Sequence, residues 1–270
     1  MAVIISCANQ KGGVGKSKLS LLLATFFHDL LREVDKKVIV LDMDYLQKSL
    51  LRRREREIEI EIDAIREKWE NENGKGSFGQ DEREAVTEQI IDNSFHIAST
   101  DFNNILNYMD TIIKEYDIII VDFPGSIAVE GVQDFYAMID YVFVVFNAGD
   151  DEEDSTEIFV ENYNEKIRPL RASMNLPVNL YGVLNKVITS KLKGVYTDLS
   201  YRKLAASIED GSFEKRYPQV KLINTIIPES KQIKNSVDTT SVVELRGLRS
   251  SNDYVKSFCQ EVFDIINNDL

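Results

Sequence analysis

The first thirty-one residues leave this chain few choices of fold. An apolar run, Val3-Ile4-Ile5-Ser6-Cys7-Ala8, passes through Asn9-Gln10-Lys11-Gly12-Gly13-Val14-Gly15-Lys16-Ser17-Lys18 into a segment, Leu19 to Leu31, whose apolar residues recur at three and four. That order is strand, glycine-rich turn, helix, the setting a phosphate-binding loop requires. Glycines let successive backbone N–H groups line one concavity, and the free N–H groups and dipole of the following helix add positive potential. In such a cradle Lys16 reaches the β- and γ-phosphates of a nucleotide and the Ser17 hydroxyl can ligate Mg²⁺.

Against the pattern G-x-x-x-x-G-K-[ST], Gln10 replaces the first glycine and Lys11 is an extra cation. With these residues the loop resembles the deviant Walker A loop of the ParA/MinD family of P-loop ATPases, nearest its ParA branch. The resemblance implies that Gly12, Gly13, Val14, Gly15, Lys16, Ser17 and Lys18 bind ATP. It also implies that Lys11 crosses a nucleotide-sandwich dimer to the partner's phosphates. Lys18 departs from the family's Thr, whose hydroxyl and amide lie near the α-phosphate. Its amide survives the exchange and the hydroxyl does not, which predicts weaker nucleotide binding.

Two more apolar runs end in carboxylates. Lys37-Val38-Ile39-Val40-Leu41-Asp42 leads to Asp42-Met43-Asp44, and Tyr116-Asp117-Ile118-Ile119-Ile120-Val121-Asp122 is a strand buried on both faces. In open parallel sheets ligands lie beyond the carboxyl ends of strands, so these acids are expected to face the phosphate site. Asp122 reads as the Walker B residue that holds Mg²⁺ or its water. By resemblance Asp44 orients the attacking water and Asp42 supports the metal shell, with an acidic helix cap as the plainer reading of Asp44. Asp122-Phe123-Pro124-Gly125 fits D-x-x-G, whose glycine N–H can be recruited by a γ-phosphate. The family's Asp-x-Asp is usually followed by Pro-Gln, whereas this chain has Tyr45-Leu46-Gln47, one residue longer.

After the strand ending at Leu184, Asn185-Lys186-Val187-Ile188 stands where GTPases carry Asn-Lys-x-Asp. Without the aspartate the N1 and N2 donors of guanine lack their acceptor, which favours adenine. By resemblance Asn185 contacts the base and Pro228 packs near it, while a turn residue closing a strand is the alternative for Asn185.

The chain has 270 residues and a formal net charge of -13, yet from Lys186 to Arg249 there are 12 Lys and Arg against 7 Asp and Glu. An acidic protein can present one basic face. Lys191, Lys193, Arg202, Lys203, Lys215, Arg216, Arg246 and Arg249 are the candidates for a DNA-facing surface, since ParA-branch members bind DNA without sequence preference. Scattered surface cations are the alternative. The block Arg52-Arg53-Arg54-Arg56 interleaves with Glu55, Glu57, Glu59 and Glu61 and reads as a solvated, salt-bridged helix face rather than a partner contact.

Ile58, Ile62, Ile65 and Trp69 share one helical face, Asn71 to Gln80 is a loop, and Asp81 to Asp92 a second helix, so residues 48–94 form a helical insertion. The run after Asp150 reads as one helix closed by Pro169. In the tail, Val255, Phe258, Cys259, Val262, Phe263 and Ile266 make an amphipathic helix. Residues 253 to 270 carry four acids against Lys256, which a membrane would repel, so the tail is expected to pack on the core or on a partner. Two cysteines provide no metal-cluster motif, and no apolar run is long enough to span a membrane.

The expectation is a single α/β domain over 1–270, a doubly wound, mostly parallel sheet of about seven strands with that insertion. By resemblance it is a slow, Mg²⁺-dependent ATPase in the cytoplasm that dimerises on ATP and positions or segregates plasmid, chromosomal or mobile DNA. It would act with non-specific DNA and a hydrolysis-stimulating partner protein, and without a membrane. The alternative is a MinD-like or protein-cargo positioning ATPase that binds no DNA. A metal-cluster carrier lacks its cysteine pairs, a tyrosine kinase of the superfamily lacks a terminal tyrosine cluster, and a non-hydrolysing scaffold remains open on account of Lys18.

Overall fold

The computed structural model describes residues 2–44, 48–124, 132–147, 150–187, 199–229 and 252–269. Seven strands form one sheet: β1 (Val3–Ala8), β2 (Val38–Asp42), β3 (His96–Ser99), β4 (Ile118–Asp122), β5 (Tyr141–Phe146), β6 (Asn179–Val187) and β7 (Lys221–Pro228). Their order is β3-β2-β4-β1-β5-β6-β7, and every described pairing is parallel. The chain winds outward from β1 to β3, returns at β4 beside β1, and continues on the other side through β7. The carboxyl end of β1 is therefore where the order reverses, the place at which such sheets bind ligands.

The side-chain period of two explains why the strands read as unbroken apolar runs. Val3, Ile5 and Cys7 of β1, Ile118 and Ile120 of β4, and Tyr141, Phe143 and Val145 of β5 face one core layer, while Ile4, Ala8, Ile119, Val121, Val142, Val144 and Phe146 face the other. The first layer is covered by α1 (Lys16–Leu31) and by the C-terminal helix, Asn252–Asp269. The second is covered by α4 (Phe102–Glu115), α5 (Val132–Met138) and α6 (Asp150–Asn162).

Between β2 and β3 stand α2 (Ser49–Asn73) and α3 (Gln80–Asp92). Ile62 is buried and Ile60 is 69% exposed, so the helical spacing governs this segment rather than the alternation of Ile58, Ile60 and Ile62. The arginine block is not uniformly solvated. Arg54 is buried, donates Nη2 to the Phe95 carbonyl at 2.9 Å and lies 4.9 Å from the centre of the Phe95 ring. It ties α2 to the residue that opens edge strand β3.

Pro169 does not close the helix after β5. A π-helical turn, Tyr163–Ile167, follows α6, and the chain then runs on through α7 (Arg168–Ser173) with the proline in its first turn. There the missing proline N–H costs little, and the wider turn absorbs the break in the i→i−4 ladder.

Among the described residues between β6 and β7 are two helices, α8 (Leu199–Glu209) and α9 (Ser212–Arg216). The C-terminal helix, α10 (Asn252–Asp269), packs on the core as its apolar face predicts. Val255, Phe258, Cys259, Val262 and Ile266 are buried, and Phe263 meets Phe26 and Phe27 of α1. Glu261 fastens it to β7, accepting from the backbone N–H groups of Asn224 and Thr225 at 2.6 and 2.8 Å and from both their side chains. No helix among the described residues is long and apolar enough to cross a membrane.

Candidate nucleotide site

The turn after β1 is shaped by two left-handed glycines, Gly13 at φ +79 and Gly15 at φ +108, a region L side chains rarely enter. Gly15 stands at the N-cap of α1. A Cβ there would also collide with the side-chain amide of Asn185.

That amide belongs to the loop's support. Asn185, buried at the end of β6, donates Nδ2 to the Val14 carbonyl at 2.8 Å, and Lys186 donates Nζ to the Gly13 carbonyl. In a trans peptide the C=O and N–H point in opposite directions. Holding these two carbonyls toward β6 therefore turns the N–H groups of Val14 and Gly15 the other way, into the concavity. Asn185 and Lys186 both act on the loop itself, and Lys186 adopts φ +54 to do so.

Lys16 is buried and donates Nζ to the Lys11 carbonyl at 2.8 Å. Burial lowers its pKa, with Asp122 opposing the shift. Two of its three N–H donors remain for phosphate oxygens. At the other edge Lys11 donates its backbone N–H to Asn9 Oδ1 at 2.9 Å. Asn9 in turn spends Nδ2 on the Val145 carbonyl and on Thr156 Oγ1, both at 2.8 Å.

Asp42 and Asp122 end β2 and β4 side by side in register, but they do different work. Asp42 accepts from the Asp44 N–H at 3.2 Å with Oδ1 and from the Leu50 N–H at 2.9 Å with Oδ2. It anchors the first turn of α2 and the turn that presents Asp44, and it stands in register beside Asp122. Asp122 accepts from the Ser17 hydroxyl, and its Oδ1 is buried with no hydrogen-bond partner. Burial, with Asp42 and Asp44 adding to it against Ser17 and Lys16, pushes its pKa up to about 7.

An orphaned, buried carboxylate oxygen beside a serine hydroxyl fits Mg²⁺, which takes one or two carboxylates and completes its shell with water and phosphate oxygens. Ser17 and Asp122 would hold the ion. When bound, it supplies neutralisation of charge on the β- and γ-phosphate oxygens. Among the described residues no three His, Cys, Asp or Glu side chains converge on an all-protein metal site.

Pro228 ends β7 in register with Val187, two residues beyond Asn185. Gly125, Lys191, Lys193, Arg246 and Arg249 lie outside the described residues. Of the other basic candidates, Arg202 and Lys203 are exposed on α8 and Lys215 on α9. Arg216 turns inward, pairing with Glu153 at 2.6 Å, Glu157 at 2.8 Å and Asp154 at 3.2 Å. Three carboxylates claim its fork, so it clamps α9 to α6.

The parallel sheet, the loop at its switch point and the carboxylate beside it define a P-loop nucleotide-binding protein. Residues 2–151 match the family model described as an AAA domain, and the chain belongs to this family, as a P-loop ATPase of the ParA/MinD type. Solved structures that share the fold include the following three. One, from Borrelia burgdorferi B31, was taken to be a plasmid partition protein and is bound to AMPPNP. It has 18% identity over 100% of both chains and a TM-score of 0.56. The ATP complex of a variant of McdA from Cyanothece has 13% identity, covering 97% of this chain and 96% of that one, with a TM-score of 0.60. The cell division protein MinD from Aquifex aeolicus has 17% identity, covering 97% and 98%, with a TM-score of 0.55. No curated protein matches the chain significantly.

Proposed function

We propose that this chain is an ATP-dependent dimerisation switch of the cytoplasm that positions or segregates DNA. The observation that carries the reading is the division of labour between two lysines. Lys16 is buried against the loop it closes, whereas Lys11 sits at the loop's edge with its backbone held on both sides. Lys16 neutralises the β- and γ-phosphates of its own subunit, and the Val14 and Gly15 N–H groups bind them. Lys11 reaches the phosphates of the second subunit, so that each site is complete only in the dimer. Asp44 accepts a hydrogen bond from the attacking water and aligns it. A cation supplied in trans can be worth roughly 10³ to 10⁵ in rate in related phosphoryl transfers, so hydrolysis waits for dimerisation and then reverses it. A partner protein is expected to stimulate that step. The relatives' descriptions as partition and cell division proteins support a positioning role.

Exposed Arg202, Lys203 and Lys215 are the described cations for the DNA face. Each phosphate contact adds about 0.9 to the slope of log affinity against log salt and confers no sequence preference. The net charge of -13 and the loss of Arg216 to an acidic cluster favour a second reading, a positioning ATPase whose cargo is protein. Binding to a random duplex with no nucleotide, ADP, ATP and AMPPNP, for wild type and Lys11→Ala across a salt series, separates the two. Binding only with ATP or AMPPNP, steep in salt and absent in Lys11→Ala, is the expected result. ATP-dependent dimers without DNA binding in any state would leave the switch and remove the DNA.

A further inference from the structure

We infer that Thr156, on α6, is a positioning residue for Lys11, acting through Asn9. The inference rests on the reading of Lys11 as the cation that completes the partner's site.

The chemistry of each contact fixes the arrangement. The Val145 carbonyl can only accept, so the Asn9 group facing it is the amide nitrogen, and the Lys11 N–H can only donate, so the group facing it is Oδ1. With one Nδ2 proton on Val145, the other lies on Thr156 Oγ1. Asn9 and Thr156 are 3% and 1% exposed, so water cannot replace either partner. The Asn9 amide plane is therefore set by two elements, β5 and α6, and that plane aims the acceptor that fixes the root of Lys11.

A second hold on Lys11, from Lys16 Nζ to its carbonyl, cannot be cut without cutting phosphate binding. The Thr156 arm can, because Thr156 lies 145 positions from Lys11 in the chain and faces the far side of Asn9. Its own place is firm. Glu153 and Glu157, one turn before it and the next residue after it, are the two carboxylates closest to Arg216, and Phe159 and Val160 are buried in the core. Nucleotide binding within one subunit uses Lys16, Ser17 and the loop N–H groups. The reach across a dimer uses Lys11. Loosening Asn9 should damage the second far more than the first, since small misplacement of a group that acts at a distance is costly.

The test uses the full chain as wild type, Lys11→Ala, Thr156→Val, Thr156→Ser and the Lys11→Ala/Thr156→Val double variant. Affinity for Mg²⁺ and AMPPNP is measured below the dimerisation concentration, and the dimer dissociation constant is measured by sedimentation with AMPPNP saturating. For Thr156→Val the expected result is nucleotide affinity within about twofold of wild type and dimerisation weakened about tenfold. Thr156→Ser restores the dimer, and the double variant is no weaker than Lys11→Ala, because residues acting through one another are not additive. If far-UV circular dichroism shows Thr156→Val unfolded, the smaller Thr156→Ala takes its place in the same comparison. The inference is overturned if Thr156→Val dimerises like wild type while Lys11→Ala does not, if nucleotide affinity falls as far as dimerisation, or if the two substitutions add in full. Lys11→Ala that dimerises like wild type overturns the underlying reading as well, and that result is told apart by the single variant alone.

Discussion

Asn185 donates its side-chain amide to the carbonyl of Val14, 171 residues earlier, at 2.8 Å. This one bond joins the end of β6 to the glycine-rich loop and orients the peptide that links Val14 to Gly15. Asn185→Ala is expected to lower ATP affinity five- to tenfold, equivalent to about 1 kcal/mol for the lost hydrogen bond. Gly15→Ala is expected to abolish binding, since it adds a left-handed alanine to a collision with the same amide. Titration with a fluorescent ATP analogue measures both, and unchanged affinity in Asn185→Ala would remove the support role.

Asp122, the proposed Mg²⁺ ligand, is buried at a cost in stability. Its carboxyl pKa is raised from 3.8 to about 7, so the charged form costs stability in full above pH 7, and the cost shrinks as pH falls from 7 towards 3.8. Asp122→Asn is expected to raise the melting temperature of the nucleotide-free protein by a few degrees at pH 8, and by less at pH 6.5. The additional stabilisation that Mg²⁺ confers in the presence of ATP should disappear. Thermal melts with ATP plus Mg²⁺ and with ATP plus a chelator test both halves. A variant that is less stable and still responds to Mg²⁺ would refute the assignment.

Arg54 and Arg52 lie two residues apart in one arginine block and should behave differently. Arg54→Ala removes a buried guanidinium from the Phe95 carbonyl and ring, an expected loss of roughly 2–3 kcal/mol. Exposed Arg52→Ala should stay within about 0.5 kcal/mol. Urea unfolding of the two variants is the measurement, and equal midpoints would return Arg54 to a solvated face.

His28 should weaken the fold on the acid side. Burial lowers its pKa below 6.5, although the Asn93 carbonyl, 3.2 Å from Nε2, works in the opposite direction. As pH drops from 6.5 to the folded-state value, the unfolded chain takes up a proton that the folded chain refuses, so stability falls through that window and levels off below it. His28→Gln keeps a donor for Asn93 and does not titrate. Melting temperatures from pH 7.5 to 5.5 should fall less steeply in the variant than in wild type, and parallel curves would exclude His28 as the source.

The strand-turn-helix at the start, the acids that end β2 and β4, and the apolar face of α10 were legible in the sequence, because local chemistry fixes them. Glycine at a left-handed turn, a β-branched run buried on both faces and a three-and-four apolar period each have one structural meaning wherever they occur. The sequence by itself thus determined that this is a parallel α/β fold with a phosphate loop at its switch point, and that Lys16, Ser17 and Asp122 stand together there.

The tertiary structure decided which member of each like pair does which task. Asp42 and Asp122 read alike along the chain, and only the folded structure brings the N–H groups of Asp44 and Leu50 to the two oxygens of one and leaves an oxygen of the other without a partner. Arg54 is set apart from Arg52 by facing Phe95, and Arg216 from the neighbouring cation Lys215 by facing α6. Asn9 is one polar residue after a strand until Thr156 arrives from 147 positions away. Pairings of this kind depend on distances between elements that are remote in the chain, and a hydrogen bond or an ion pair declares itself only when packing has brought donor and acceptor within about 3 Å.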